Sequence, residues 1–318
     1  MKKNSLKKAF NSYFHDKYSF DEFVNFDTTT HYKDIFYSKN TFSPSKELKK
    51  YQQFLNFFIF DLIKVNKDVV FSYRKGVSAY DAIYPHKDSK YILSTDIQSF
   101  FLHISSDDIK QLILENKKNF LILEEDIEKY INLIVNLVSY HNILPIGAPT
   151  SPKISNGYLF DFDNKLNEYC RGKDIIYTRY SDDFIFSSRN RENFIELIET
   201  IKDILLSLGH DTLKLNNNKT RFQQKGSKIV LLGLVITPNG VITVDKQIKK
   251  DIEVLLHFYL SDKVKFKDFF EKNYASNLEK VSGKLSYIKS IDKLFITKLK
   301  KKYGSFIVNS FIHREIDE

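Results

Sequence analysis

Two adjacent carboxylates in the run Tyr180-Ser181-Asp182-Asp183 are the residues of this chain best placed to do chemistry. They lie between two apolar, β-prone runs, Ile175-Ile176-Tyr177-Thr178 and Phe184-Ile185-Phe186. That pattern predicts a tight β-hairpin with both acids at its tip. Two unit charges ~4 Å apart at an effective dielectric of ~20 repel by about 4 kcal/mol. A shared proton or a divalent cation would relieve the repulsion. Hard oxygen ligands with no His or Cys nearby favour Mg²⁺ over zinc. A solvated Asp-Asp turn is the plain alternative, and this pair alone does not exclude it.

A second acid changes the balance. Tyr91-Ile92-Leu93-Ser94-Thr95-Asp96-Ile97 reads as an apolar strand that delivers Asp96 at its end, followed by Phe100-Phe101 and the helix-start signal Ser105-Ser106-Asp107-Asp108. One strand-terminal Asp beside a hairpin bearing two more can build a two-metal phosphoryl-transfer site. One ion would activate an attacking 3′-hydroxyl, and the other would hold a triphosphate and its leaving oxygen. A stiff segment, Leu144-Pro145-Ile146-Gly147-Ala148-Pro149-Thr150-Ser151-Pro152, leads into a helix. Ser151 is expected as its N-cap and Pro152 at its first position. Such a loop suits close approach of a nucleotide.

The elements that must position these residues follow from periodicity. Helices are predicted over 46–64, 107–118, 124–140, 152–170 and 191–208, the last ended by Gly209. The hairpin should span 175–187. Strands near 228–236 and 241–244 should surround the turn Pro238-Asn239-Gly240. Ile248, Ile252, Leu255 and Tyr259 mark one late helix, and Leu285, Ile288 and Ile291 another. Residues 1 to about 40 carry only a weak helical pattern. Antiparallel strands mixed with helices predict an α+β fold.

Composition bounds the partners. The chain has 318 residues and a formal net charge of +9. Lysine supplies 42 of the 49 basic residues, which suits sequence-independent contact with phosphate backbones. With 28 Phe and 19 Tyr, most aromatics should be core and a few could stack on unpaired bases. No stretch approaches a membrane span and no signal peptide is evident, so a cytoplasmic protein with no membrane partner is expected. The lone Cys170 excludes internal disulfides and is expected as a small buried residue.

With these motifs in view, the chain resembles a reverse transcriptase from about residue 40 onward. Tyr180-Ser181-Asp182-Asp183 matches the family's Tyr-x-Asp-Asp signature. Asp96 with Phe100-Phe101 matches Asp-x-x-x-Phe-Phe, and Leu144 to Asn156 matches the Leu-Pro-Gln-Gly-Ala-Pro segment. Flanking blocks at 44–52, 71–78, 216–220, 232–236, 283–288 and 301–304 are similar to bacterial retron-type enzymes. The resemblance implies a right-hand polymerase with an antiparallel-sheet palm, helical fingers and a helical thumb. Fingers are expected over 1–90, palm over 91–244 with a helical insertion at about 107–140, and thumb over 245–318.

It also implies residue roles. Asp96, Asp182 and Asp183 would be catalytic and hold two Mg²⁺ ions, with the Ile97 carbonyl as an extra oxygen ligand. Lys39, Arg74, Phe101, Ile146, Gly147 and Lys219 would meet the dNTP, Phe101 by excluding a ribose 2′-hydroxyl and thereby disfavouring RNA synthesis. Tyr180, Leu232, Gly233 and Leu234 would meet primer and template. His86, Lys298, Lys300, Lys301 and Lys302 would bind RNA. The implied activity is RNA-directed DNA synthesis on a dedicated noncoding RNA, in antiphage defence beside an effector protein, with no spare length for an RNase H domain.

Three departures bear on this. Ile146 stands where the family usually has Gln. Ala82-Ile83-Tyr84-Pro85-His86 keeps only the His of the retron Asn-Ala-x-x-His mark, and Leu231-Leu232-Gly233 replaces Val-Thr-Gly. A neighbouring group of phage-defence reverse transcriptases therefore fits about as well as retrons. The Ile146 departure leaves open untemplated or protein-primed DNA synthesis. A catalytically idle RNA-binding scaffold is the non-enzymatic alternative.

Overall fold

A computed structural model describes residues 3–34 and 41–315. The chain divides into two compact units, one of residues 1–78 and 93–222, the other of residues 79–92 and 223–318.

In the first unit the weakly patterned N-terminal segment forms helices Leu6–Phe14 and Phe20–Val24. Phe10 sits at the centre of an aromatic cluster, with ring centroids 4.7 Å from Phe14, 4.8 Å from Phe23 and 5.5 Å from Phe54. Each ring removes a large apolar area from water, which makes this segment core. The helix expected over 46–64 ends at Phe58 and gives way to a short 3-10 turn.

The helix after the Asp96 strand, Ser106–Asn116, opens on a capping box: the Ser105 hydroxyl accepts from the Asp108 amide and Asp108 accepts from the Ser105 amide. The helix expected over 124–140 breaks at Tyr130 into Glu124–Lys129 and Ile131–Val138. That expected over 152–170 breaks at Leu159 into Ser151–Tyr158 and Phe160–Gly172. Thr150, not Ser151, takes the cap position, because the Ser151 hydroxyl turns back to donate to Pro145 O at 2.6 Å.

The main sheet has strand order Ile176–Tyr180, Asp183–Ser188, Tyr91–Asp96, Arg221–Gln224. Its first pair is the expected antiparallel hairpin. Phe184 and Phe186 are buried.

In the second unit, strands Ile229–Leu231, Leu234–Ile236 and Ile242–Val244 form an antiparallel sheet. The strand expected over 228–236 is thus a hairpin, broken by Leu232-Gly233 at φ +48° and +77°. Positive φ at both loop residues is the type I′ pattern, whose twist matches that of the paired strands. Five helices follow: Lys246–Ser261, Lys263–Tyr274, Leu278–Ile291, Lys293–Tyr303 and Ser305–His313. The first four start on Asp245, Asp262, Asn277 and Asp292, whose side chains accept from first-turn amides. Among the described residues, no helix is long and apolar enough to cross a membrane.

Candidate active site

The hairpin register pairs Tyr180 with Asp183, leaving Ser181 and Asp182 as a two-residue loop. Ser181 has φ +60° and Asp182 does not share the positive φ, the pattern of a type II′ turn. The Ile97 amide donates to Asp182 O at 3.2 Å, which sets the end of the Asp96 strand against the hairpin tip. Asp96 is buried at 3% exposure, and its Oδ2 lies 2.5 Å from Lys219 Nζ.

The electrostatics are those of crowded acids. Burial, then the Asp182 and Asp96 charges, push the Asp183 carboxyl up to about 6 despite Lys219. Burial also raises Asp182, with Asp96 adding to it. The Asp96 hydrogen bond and the three nearby carboxylates hold the Lys219 ammonium above its usual pKa. Among the described residues, no three His, Cys, Asp or Glu side chains form a ready-made metal cage. The donors nevertheless fit a hard divalent cation. They are all oxygens, Asp96 Oδ1 is buried without a hydrogen-bond partner, and burial and mutual repulsion raise both hairpin acids, a cost that added positive charge would relieve.

Beneath the tip lies a brace that sequence reasoning missed. Arg179 is fully buried. Its Nε and Nη2 donate to Asp163 at 2.8 and 2.6 Å, and its Nη1 donates to Ser181 O at 2.8 Å. Asn156 accepts from Arg179 at 3.3 Å through both its side-chain and main-chain oxygens. Burial opposes the Arg179 charge, but the Asp163 carboxylate outweighs it, so the guanidinium stays charged. The available signal was an Arg inside an apolar strand, which requires a buried acidic partner.

A family model described as reverse transcriptase (RNA-dependent DNA polymerase) matches residues 41–236. The chain belongs to the reverse transcriptase family. It is 27% identical over 278 residues to the retron Ec86 reverse transcriptase of Escherichia coli, covering 85% of this chain and 79% of that one. It is 26% identical over 306 residues to the E. coli retron Ec83 reverse transcriptase, covering 92% and 93%. The retron-type likeness expected from the motifs therefore holds over most of the chain despite the two altered marks. Among solved structures, apo telomerase from Candida tropicalis matches with a TM-score of 0.50 and 14% identity, covering 96% of this chain and 52% of that one. That likeness speaks to the right-hand polymerase fold, and this chain spans about half of the telomerase chain. The protein is an RNA-directed DNA polymerase, similar to the retron enzymes over most of its length.

The other expected residues of this reverse transcriptase fall into distinct settings. Phe101 is half-buried in a 3-10 turn, its ring 5.6 Å from buried Phe100. Ile146 is fixed through its backbone, since Phe42 N donates to Ile146 O at 2.8 Å. Gly147, at φ +109°, sits where a Cβ would lie 2.4 Å from Phe42 O, so no side chain fits there. Leu232 and Gly233 form the type I′ turn in the second unit, and Leu234 begins the strand after it.

Lys298, Lys301 and Lys302 are exposed on helix Lys293–Tyr303, and Lys300 is half-buried. Cys170 is buried, and burial pushes its thiol up to about 12, as suits a packing residue. One expected site residue requires correction. His86 is fully buried and its pKa is pushed down to about 3, so it offers no surface to RNA. The Arg74 guanidinium, half-buried, donates through Nη1 to the carbonyls of Lys67 and Val70 and so ties its own loop. Lys39 lies outside the described residues.

Proposed function

We propose that this reverse transcriptase copies a dedicated noncoding RNA into DNA from dNTPs, with Asp96, Asp182 and Asp183 holding two Mg²⁺ ions. The supporting observation is the hairpin tip docked on the end of the Asp96 strand through Ile97, with three carboxylates in one electrostatic cluster. When bound, the ions would supply Lewis-acid activation of the primer 3′-hydroxyl and charge stabilisation at the triphosphate. The Ile97 carbonyl is a further oxygen donor in this reading.

The protein's own groups do the rest. Lys219, 64% exposed at its side chain, keeps its proton and can give it to the pyrophosphate side. Phe101 would stack under the incoming sugar and exclude a ribose 2′-hydroxyl. Ile146 and Gly147 offer a rigid, apolar backbone surface to the nucleotide, and Lys39 would add a charge for the triphosphate. Tyr180 and the Leu232-Gly233-Leu234 turn would seat the primer. The exposed lysines Lys298, Lys301 and Lys302, with Lys300 beside them, would grip the RNA backbone. In this scheme 1–90 are fingers, 91–244 palm and 245–318 thumb. By analogy with retron-type enzymes, the biological setting is cytoplasmic antiphage defence with an effector protein.

The decisive experiment purifies the protein from cells expressing its native locus and sequences the co-purifying RNA and DNA, beside an Asp182→Ala, Asp183→Ala control. One structured RNA with complementary DNA only in the wild type supports the proposal. Template-free DNA, or DNA that migrates with protein until proteolysis, would replace it with untemplated or protein-primed synthesis. DNA absent from both samples would leave the scaffold reading.

A further inference from the structure

The segment Val69–Tyr73 is tied to the carboxylate hairpin and to Asn156 of helix Ser151–Tyr158. Arg179 N donates to Val69 O at 2.7 Å and Phe71 N donates to Arg179 O at 2.9 Å, so Val70 and Arg179 form a parallel bridge. The Ser72 hydroxyl donates to Asn156 Oδ1 at 3.1 Å, and Asn156 Nδ2 donates to Ser72 O at 2.9 Å. Tyr73 then turns at φ +55°, a conformation that is costly for a bulky side chain. Arg74 closes the turn through its bonds to Lys67 O and Val70 O. The Tyr73 hydroxyl thereby comes within 3.1 Å of Ser181 Oγ.

Ser181 is the first loop residue of the hairpin and precedes Asp182 directly. Two non-glycine residues in left-handed backbone conformations thus meet hydroxyl to hydroxyl where the carboxylates emerge. Burial of the Tyr73 ring does not account for the strain, because the residue is 40% exposed. Backbone strain of this kind persists when its surroundings over-determine it, and it concentrates at functional sites. A neutral contact also suits the place. A lysine or arginine there would compete with the cations that Asp182 and Asp183 must meet, whereas a hydroxyl fixes the loop and adds no charge.

We propose that Tyr73 is a positioning residue whose hydroxyl, paired with Ser181, latches the hairpin tip and sets the direction in which Asp182 and Asp183 project. The proposal rests on the reading of those acids as the catalytic ligands. Arg179 holds the loop from below through the Ser181 carbonyl, and Tyr73 holds it from the side through the Ser181 hydroxyl.

The test is a double-mutant cycle of Tyr73→Phe and Ser181→Ala, with Asp182→Asn as a catalytic control. Tyr73→Phe keeps the ring and removes only the hydroxyl. Each single variant should lower kcat about three- to tenfold and raise the half-saturating Mg²⁺ concentration, with template–primer affinity unchanged. The double variant should be no worse than the worse single one. Amide hydrogen exchange in the 180–184 region should accelerate in all three, measured without metal or substrate.

Effects that multiply, or unchanged exchange in Tyr73→Phe, would overturn the latch. So would weakened template–primer affinity at constant kcat, which would place Tyr73 on the nucleic acid instead. If Asp182→Asn retained synthesis, the catalytic reading would fail, and the exchange data would still decide whether Tyr73 and Ser181 are coupled.

Discussion

Two hairpins of this protein turn on two residues each and solve the same backbone problem differently. At Leu232-Gly233 the turn is local. Both residues take positive φ, Gly233 has open space around it, and the flanking strands continue the sheet. At Ser181-Asp182 there is no glycine. The positive φ falls on Ser181 and is held by Arg179, Tyr73 and the Ile97 contact to Asp182. A glycine at Ser181 would relax the turn but leave the acids free to swing. The difference teaches that the first hairpin is specified by its own sequence. The second is specified by its surroundings, which is what a site needing fixed charge directions requires.

The comparison can be broken most sharply at the acids. Asp182→Asn or Asp183→Asn should cut primer extension by about a thousandfold or more, because a neutral amide cannot replace a hard anionic ligand. The fold should remain intact by circular dichroism, since removing one charge relieves repulsion in the cluster. Activity near wild type would take these acids out of the mechanism.

The brace comes next. Arg179→Met leaves Asp163 buried without its partner and should cost about 3–5 kcal/mol in denaturant unfolding. The paired change Arg179→Met with Asp163→Leu should recover most of that stability while primer extension stays depressed. Recovery of both would reduce the ion pair to a packing feature.

Smaller effects are expected at the other turn. Gly233→Ala should cost about 1 kcal/mol, and Leu232→Asn should gain a few tenths to about 1 kcal/mol, because Asn tolerates a left-handed backbone better than Leu. A loss as large as that of Arg179→Met would show that this turn, too, is held from outside.

The smallest effect concerns Asp292. Burial alone would raise its pKa, but bonds from Lys249 at 2.6 Å, Thr243 at 2.7 Å and the Phe295 amide outweigh that, and it lies below the usual carboxylate value. Its contribution is therefore complete above the unfolded pKa near ~3.9 and lost as pH falls through the lower folded value. Thermal unfolding measured from pH 5 to pH 2 should show a shallower decline in Asp292→Asn than in the wild type. Parallel curves would remove Asp292 from the acid sensitivity.

Much of the site was legible in the chain because its signals are local. The carboxylate hairpin, the Asp96 strand, the capping box at Ser105 and the helix register around Leu255 and Leu285 all follow from periodicity and turn chemistry. The helix breaks at Tyr130 and Leu159 were not legible, since the apolar stripe runs on past both residues and only packing decides where the axis bends. His86 shows the same limit. A histidine beside Tyr84 and Lys87 looks like a surface ligand until the fold closes over it.

The sequence by itself determined the residue types: three acids, a stiff turn before a helix, a strand-ending Asp and a lysine-rich C-terminal region. Those are short-range patterns, written in spacing. Tertiary structure alone decided that Asp163 lies under Arg179, that Asn156 joins Ser72 to that pair, and that Tyr73 reaches Ser181 across 108 positions of chain. Those contacts join segments far apart in sequence. Their energies depend on burial, which excludes water and strengthens every paired charge and hydrogen bond, and burial exists only once the whole unit has packed.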